Sequence, residues 1–538
     1  MRETPVAKLI TAWLQKHSLL VFLLLTAIGS LRIISTYGVF SHTFDEPAHL
    51  ASGMQWLSGE TYITDIPEHP PLARVLAALG PYLAGVRPHH ISAMFQEGLA
   101  LLSDGGHYDR NLALARLGIL PFFWVGALVV FLWAKRYLGE PGAAFAVLFF
   151  TFLPPILAHA GLATTDMALT AMVGASFLAA LSWFDRPIPS NSLAFGAITG
   201  VAVLCKFSSL AFLPVAFAAA LFWYLASEHP PLSAALRAAK KRAPQLLLAV
   251  VTAGFVIWAG YRFSFGHVAF TSVRLPAPEL YANIQLVIDH NQRGDPSFLL
   301  GQHSYTGWWY YYLVVLAVKT PLPFLALVIY GALAADRGLK GRGTQLALAF
   351  SLGILWFALA GHINLGVRHI LPVYIGFSLV AATGAVHLLN RSEESRAAGW
   401  ILGSLVAWTV VTSGLSHPDY LPYFNALAGG HPENVLADSD LDWGQDMKRL
   451  ARRLHEAGAQ QLFFTPSLPV DLAAQGFPPV QPNDREKPSP GWNAVSLTVL
   501  KKARLGLWGA YPEIKLWPDQ VPPSERIGKG IWLWYFPP

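Results

Sequence analysis

Long apolar stretches alternate with shorter polar ones along this chain, at the spacing of a protein that crosses a bilayer many times. About 20 apolar residues cross the hydrocarbon. On that measure spans fall near 19–38, 114–134, 142–160, 166–184, 192–207, 210–226, 245–261, 321–335, 345–361, 370–388 and 398–415, eleven in all. Three polar segments are long: residues 41–113, residues 262–306 and the tail from about 416. The tail changes period. "DMKRLARRLHEAG" (Asp446 to Gly458) repeats as a helix with a glycine stop, and "QLFFTP" and "IWLWYF" read as strands. The pattern predicts a mainly α fold: a polytopic transmembrane helical bundle over 1–415 with outer loops 41–113 and 262–306, then a small extracytoplasmic α/β domain over 416–538.

Composition agrees with the pattern. The chain is 54% hydrophobic and 13% charged, outside the range of a water-soluble domain. The net charge of +6 is a matter of topology and gives no reason to invoke nucleic acid. With the N-terminus inside, the inner loops hold Lys135 and Arg136, Arg186, the Arg237–Arg242 cluster, Arg337 to Arg342, and Arg391 with Arg396, as the positive-inside rule requires. The start of the chain resembles a signal peptide but lacks a cleavage site, and reads as a retained first span. Cys205 stands alone within an apolar run, so no intrachain disulfide forms and packing is its expected role. The aromatic run "GWWYYYL" (Gly307 to Leu313) suits an interfacial belt, with a sugar-stacking platform as the alternative.

All three long segments share the outer face, and so do the candidate chemical groups. In "TFDEPAHL" the pair Asp45-Glu46 opens a helix. Asp45 reads either as its N-cap or as a chemical group, because carboxylates at a membrane boundary are costly and usually mark a site. His49 follows at helical spacing. "EHPPLAR" adds Glu68, His69 and Arg74 around a Pro-Pro helix start. "LATTDMALT" places Asp166 in the first turn of a span, with Thr164 or Thr165 as the expected cap. Cations answer these acids: Lys206 at the outer end of span five, Arg262 after span seven, and Arg368 with His369 in a short outer loop, where an arginine runs against positive-inside. Such a collection suits a substrate with a charged head and a lipid tail. When a phosphate leaves an anomeric carbon, cations stabilise the growing charge and a carboxylate takes the proton of the attacking hydroxyl. A single displacement of this kind inverts the centre.

At these residues the chain resembles the GT-C membrane glycosyltransferases, in the branch of the bacterial aminoarabinose transferases and protein O-mannosyltransferases. "FDEPAHLASGMQWLSGETY", "EHPPLAR", "TTDMALT", "LCKFSSL" and "NLGVRHILP" carry the likeness over roughly residues 10–390. The resemblance implies a polyprenyl-phosphate sugar donor, without naming the sugar, and a lipid, glycan or protein acceptor at the periplasmic face of a bacterial inner membrane. It implies Asp45 as catalytic base with Glu46 beside it, Glu68 and Asp166 as further acids, and His69, Lys206 and Arg368 on the carrier phosphate. His69 stands where the aminoarabinose branch has lysine. Members differ in using a divalent ion; without an Asp-X-Asp in the first loop, no cofactor or metal is expected here. "DSDLDWGQD" lacks the terminal glutamate and glycine position of a calcium loop. Two other classes compete. A transporter would place charges near span midpoints and show broken helices, and a non-catalytic carrier-binding component would use the same groups without turnover.

Overall fold

In the computed structural model, residues 6–59, 69–268, 271–335, 339–505 and 516–538 are described. Among them eight helices are long and apolar enough to cross a membrane. Three further features bring the apolar segments to the eleven expected. The helix Leu120–Phe152 turns at Gly139, which has φ +74°. Its halves fold back on each other, so that the rings of Phe123 and Phe150 stack 6.4 Å apart. The helices Tyr311–Lys319 and Leu322–Leu333 form one segment bent by 114° at Thr320-Pro321, since proline removes a backbone donor. The helix Pro189–Cys205 is apolar but has only 17 residues.

Boundaries differ where proline intervenes. The segment expected over 142–160 stops at Phe152, and Pro154-Pro155 start a separate, wholly buried helix, Pro154–Ala160. The bundle has two chemically distinct ends. At one, Arg136 pairs with Asp185, Arg342 with Glu228 and Lys8 with Glu393, which brings together loops expected on a common inner side. At the other lie Asp45, Asp166, Lys206 and Arg368.

The segment between the first two spans folds as short helices, among them Glu46–Leu57, Pro71–Leu83 and Met94–Ser103. Small residues let them approach closely: a Cβ at Gly53 would fall 2.0 Å from the Arg74 carbonyl oxygen, and one at Gly98 2.1 Å from that of Pro47. The tail carries a five-stranded mixed sheet in the order Val480–Gln481, Leu462–Thr465, Gly491–Ser496, Ile531–Phe536, Glu525–Ile527. The helix Met447–Glu456 packs on it through Met447, Leu450 and Leu454 and ends at Gly458, φ +63°. The linking residues Tyr420, Leu421, Leu436 and Trp443 are buried in the apolar core of the bundle itself. The tail is therefore fastened into the mouth of the bundle.

Candidate functional site

Between the end of the bundle and the tail lies a cavity of about 440 Å³. Its wall on the bundle side includes Asp45, His49, His69, Arg74, Lys206, Arg368 and His369, and its opposite wall includes Asp438, Asp442, Trp443, Ser467, Thr498 and Lys502.

Asp45 occupies the N-cap position of the helix Glu46–Leu57, yet its carboxylate makes no capping bond. Arg368 donates from Nη1 to Asp45 Oδ2 at 2.7 Å instead. The capping alternative for Asp45 is thus replaced by an ion pair across the cavity. Burial raises the Asp45 carboxyl above its ordinary value, against the opposing pull of Arg368. Arg368 sits in the turn Val367–Ile370, just before the helix Val373–Arg391. The tail holds this turn at several points. Val367 N–H donates to Asp440 Oδ1 at 3.1 Å, and the Ser439 hydroxyl donates to the Leu365 carbonyl. The Arg368 guanidinium lies 4.4 Å from the centre of the Trp443 ring. Gly366, φ +96°, fits against Asp440, where a Cβ would meet the carboxyl carbon at 2.8 Å. Asp440 is itself buried, with the Lys319 ammonium 4.0 Å from its Oδ1.

Lys206 follows the last residue of the helix Pro189–Cys205 in extended backbone. Rather than reaching for solvent, it donates to Asp166 Oδ1 at 2.6 Å. Asp166 begins the helix Asp166–Asp185, and neither Thr164 nor Thr165 caps it as expected; the Thr164 hydroxyl bonds Asp166 Oδ2 at 3.2 Å. Asp166 stands behind Lys206 and holds it in the wall.

The histidines form a neutral patch. Arg74 Nε donates to His49 Nδ1 at 3.1 Å, and the His49 and His69 rings meet edge to face at 5.1 Å. Burial, reinforced by nearby Arg74, holds both imidazoles well below their ordinary value. Burial and the adjacent Arg368 do the same for His369. His69 therefore offers a hydrogen bond where a lysine would offer a charge.

Two expected site residues are placed elsewhere. Glu46 does not line the cavity: Arg116 donates to both its oxygens, at 2.8 and 2.9 Å, and the Ala163 and Thr43 amides add bonds at 2.8 and 2.7 Å. Arg262 lies outside the cavity, bonded to the Trp56 carbonyl with its guanidinium 4.2 Å from the Trp56 ring centre. Glu68 lies outside the described residues. The aromatic run is divided: Tyr311 and Tyr312 are buried and Trp309 is exposed. The aspartates of "DSDLDWGQD" part to different partners, Asp438 to Lys502, Asp440 to Lys319, Asp442 to Ser496 and Asp446 to Arg449. Among the described residues no three His, Cys, Asp or Glu side chains converge as a metal-holding group.

The bundle, its bent segment and the capping tail define a polytopic membrane protein with the GT-C fold. The chain is similar to a crystal structure of ArnT from Cupriavidus metallidurans bound to undecaprenyl phosphate, with 15% identity, 95% of this chain and 97% of that chain covered, and a TM-score of 0.52. The archaeal oligosaccharyltransferase AglB from Archaeoglobus fulgidus, in complex with an inhibitory peptide and a dolichol-phosphate, also matches, at 13% identity over 73% of this chain and 55% of that chain, with a TM-score of 0.44. No protein-family model matches the sequence, and no curated protein matches it.

Proposed function

We propose that the protein is an integral membrane glycosyltransferase that moves a sugar from a polyprenyl-phosphate donor to an acceptor hydroxyl, with inversion, at the periplasmic face of a bacterial inner membrane. The observation that carries this reading is the meeting of Asp45, Arg368 and Lys206 around one cavity at the ends of the spans. Undecaprenyl phosphate in the ArnT structure supports the carrier.

The acceptor oxygen attacks the anomeric carbon, and the bond from that carbon to the phosphate oxygen breaks. Arg368 and Lys206 stabilise the charge gathering on the phosphate through hydrogen bonds that strengthen as the bond opens. Asp45 accepts the hydroxyl proton. Burial makes its carboxylate a stronger base than an exposed one. Arg368 is shared between Asp45 and the phosphate, so donor binding draws it from the carboxylate and frees the base. The acceptor is a lipid, a glycan or a protein.

A transporter is less well supported, because the ionisable cluster lies at helix ends: Asp166 opens its helix and Lys206 follows the end of another. The test compares envelope lipids, glycans and proteins by mass spectrometry from cells with the wild-type chain and with Asp45→Asn. Loss of one glycosylated product with equal protein in the membrane is the expected result. Full product with Asp45→Asn would overturn the assignment.

A further inference from the structure

A lipid-phosphate sugar is a linear molecule, and the fold is layered in the same order. The apolar spans lead to a layer of cations at their ends, Lys206 and Arg368, and beyond it stands the wall built by the tail. If the phosphate meets the cations, as the proposed function has it, the sugar meets the tail.

That wall has the chemistry of a polyol site. Lys502 donates to Asp438 Oδ2, and both side chains face the cavity. A fixed ammonium beside a carboxylate can donate to one hydroxyl and accept from its neighbour. Ser467 also lines the cavity; its Oγ is buried, with no hydrogen-bond partner among the described residues. His369 Nε2 is in the same position on the facing side. Buried polar atoms of this kind are normally satisfied by ligand or water, so orphans on both sides of one cavity mark where a hydroxylated group goes.

The charges select among sugars. Each carboxylate on the outer part of the cavity is already answered: Asp438 by Lys502, Asp295 by His290 at 2.7 Å, and Asp442 by the Ser496 hydroxyl and the Gly444 and Thr498 amides. Among the described residues each of these carboxylates already accepts a hydrogen bond and Lys502 is paired with Asp438, so neither an ammonium nor a carboxylate on the sugar meets an unengaged partner there. We propose that Asp438, Lys502 and Ser467 form the donor-sugar subsite and that it takes a neutral sugar through vicinal hydroxyls.

The experiment measures binding to the purified full chain in detergent of undecaprenyl phosphate alone and of the same carrier bearing glucose, 4-amino-4-deoxyarabinose or glucuronate. The glucose-bearing carrier should bind about tenfold more tightly than the bare one, the worth of one charge-assisted hydrogen bond. Asp438→Asn and Lys502→Met should remove that increment and leave the bare carrier unchanged. Ser467→Ala, whose hydroxyl bonds no other described residue, should reduce it while keeping the melting temperature. Equal weakening of bare and loaded carriers in these variants, or preference for the aminoarabinose or glucuronate carrier, would overturn the subsite. Failure of the wild-type chain to bind any carrier would instead overturn the proposed function, and the subsite with it.

Discussion

Two neighbouring acids have opposite fates. Asp45 and Glu46 each pair with an arginine distant in the chain, Arg368 and Arg116. Glu46 is buried and saturated, with both oxygens on the guanidinium and two amides added. Its carboxyl is held below the ordinary value, because Arg116 and the backbone bonds outweigh burial. Asp45 has a single ion-pair bond and faces a cavity, and burial dominates there to raise its carboxyl. A pair with every lone pair engaged is structure, whereas one with lone pairs open to a cavity can do chemistry.

The sharpest way to break this contrast is to neutralise each acid. Asp45→Asn is expected to lower transfer by about 10³-fold, within the range for loss of a general base, while the melting temperature stays put. Glu46→Gln is expected to cost about 3–5 kcal/mol, because it leaves Arg116 buried without its counter-charge. It should show as poor yield and early melting in detergent. A stable, inactive Glu46→Gln protein would reverse the two roles.

Arg368→Lys keeps the charge and loses the planar fork that spans Asp45 and the phosphate, so transfer should fall by about 10²-fold with a raised KM for donor. Asp440→Asn tests the hold on the Arg368 turn from behind. We expect about a tenfold loss of kcat/KM from misplacement of the guanidinium, and less than additive loss in combination with Arg368→Lys. A purely structural role would lower the melting temperature and leave the KM for donor alone.

The pH profile sharpens the contrast further. The base must be ionised, so activity falls as pH drops through the Asp45 value. Because burial raises that value, the acid limb of kcat/KM should lie above the ordinary carboxylate range. A limb at or below that range would show that Arg368 dominates. The smallest expected effect is that of EDTA. We propose transfer without a resident metal, and chelation should leave the rate unchanged.

Much of this was legible in the sequence. Hydropathy located eleven apolar segments, and placing Asp45, Asp166, Lys206 and Arg368 on one face brought together side chains separated by up to 323 positions. Arg116 was missed although its signal was present: an arginine inside an apolar segment calls for a buried partner. Arg262 was misplaced because an arginine after a span looks the same on an aromatic ring as on a phosphate. The outer wall was not legible. Nothing in the spacing of Asp438, Ser467 and Lys502 shows that a sheet brings them to face Asp45, and "DSDLDWGQD" reads as an acidic loop until its carboxylates are seen to part.

The wall built by the tail also orders events during synthesis. The ribosome makes every apolar segment before it reaches Asp438 and Lys502, so the bundle enters the bilayer with its mouth open. On the proposed reading, a nascent chain at that stage has Asp45, Lys206 and Arg368 in place but lacks the sugar subsite of the outer wall. The proposed sugar subsite forms only once the tail has folded back onto the bundle. A chain stopped after residue 415 should therefore insert, yet show no preference for a loaded carrier over a bare one.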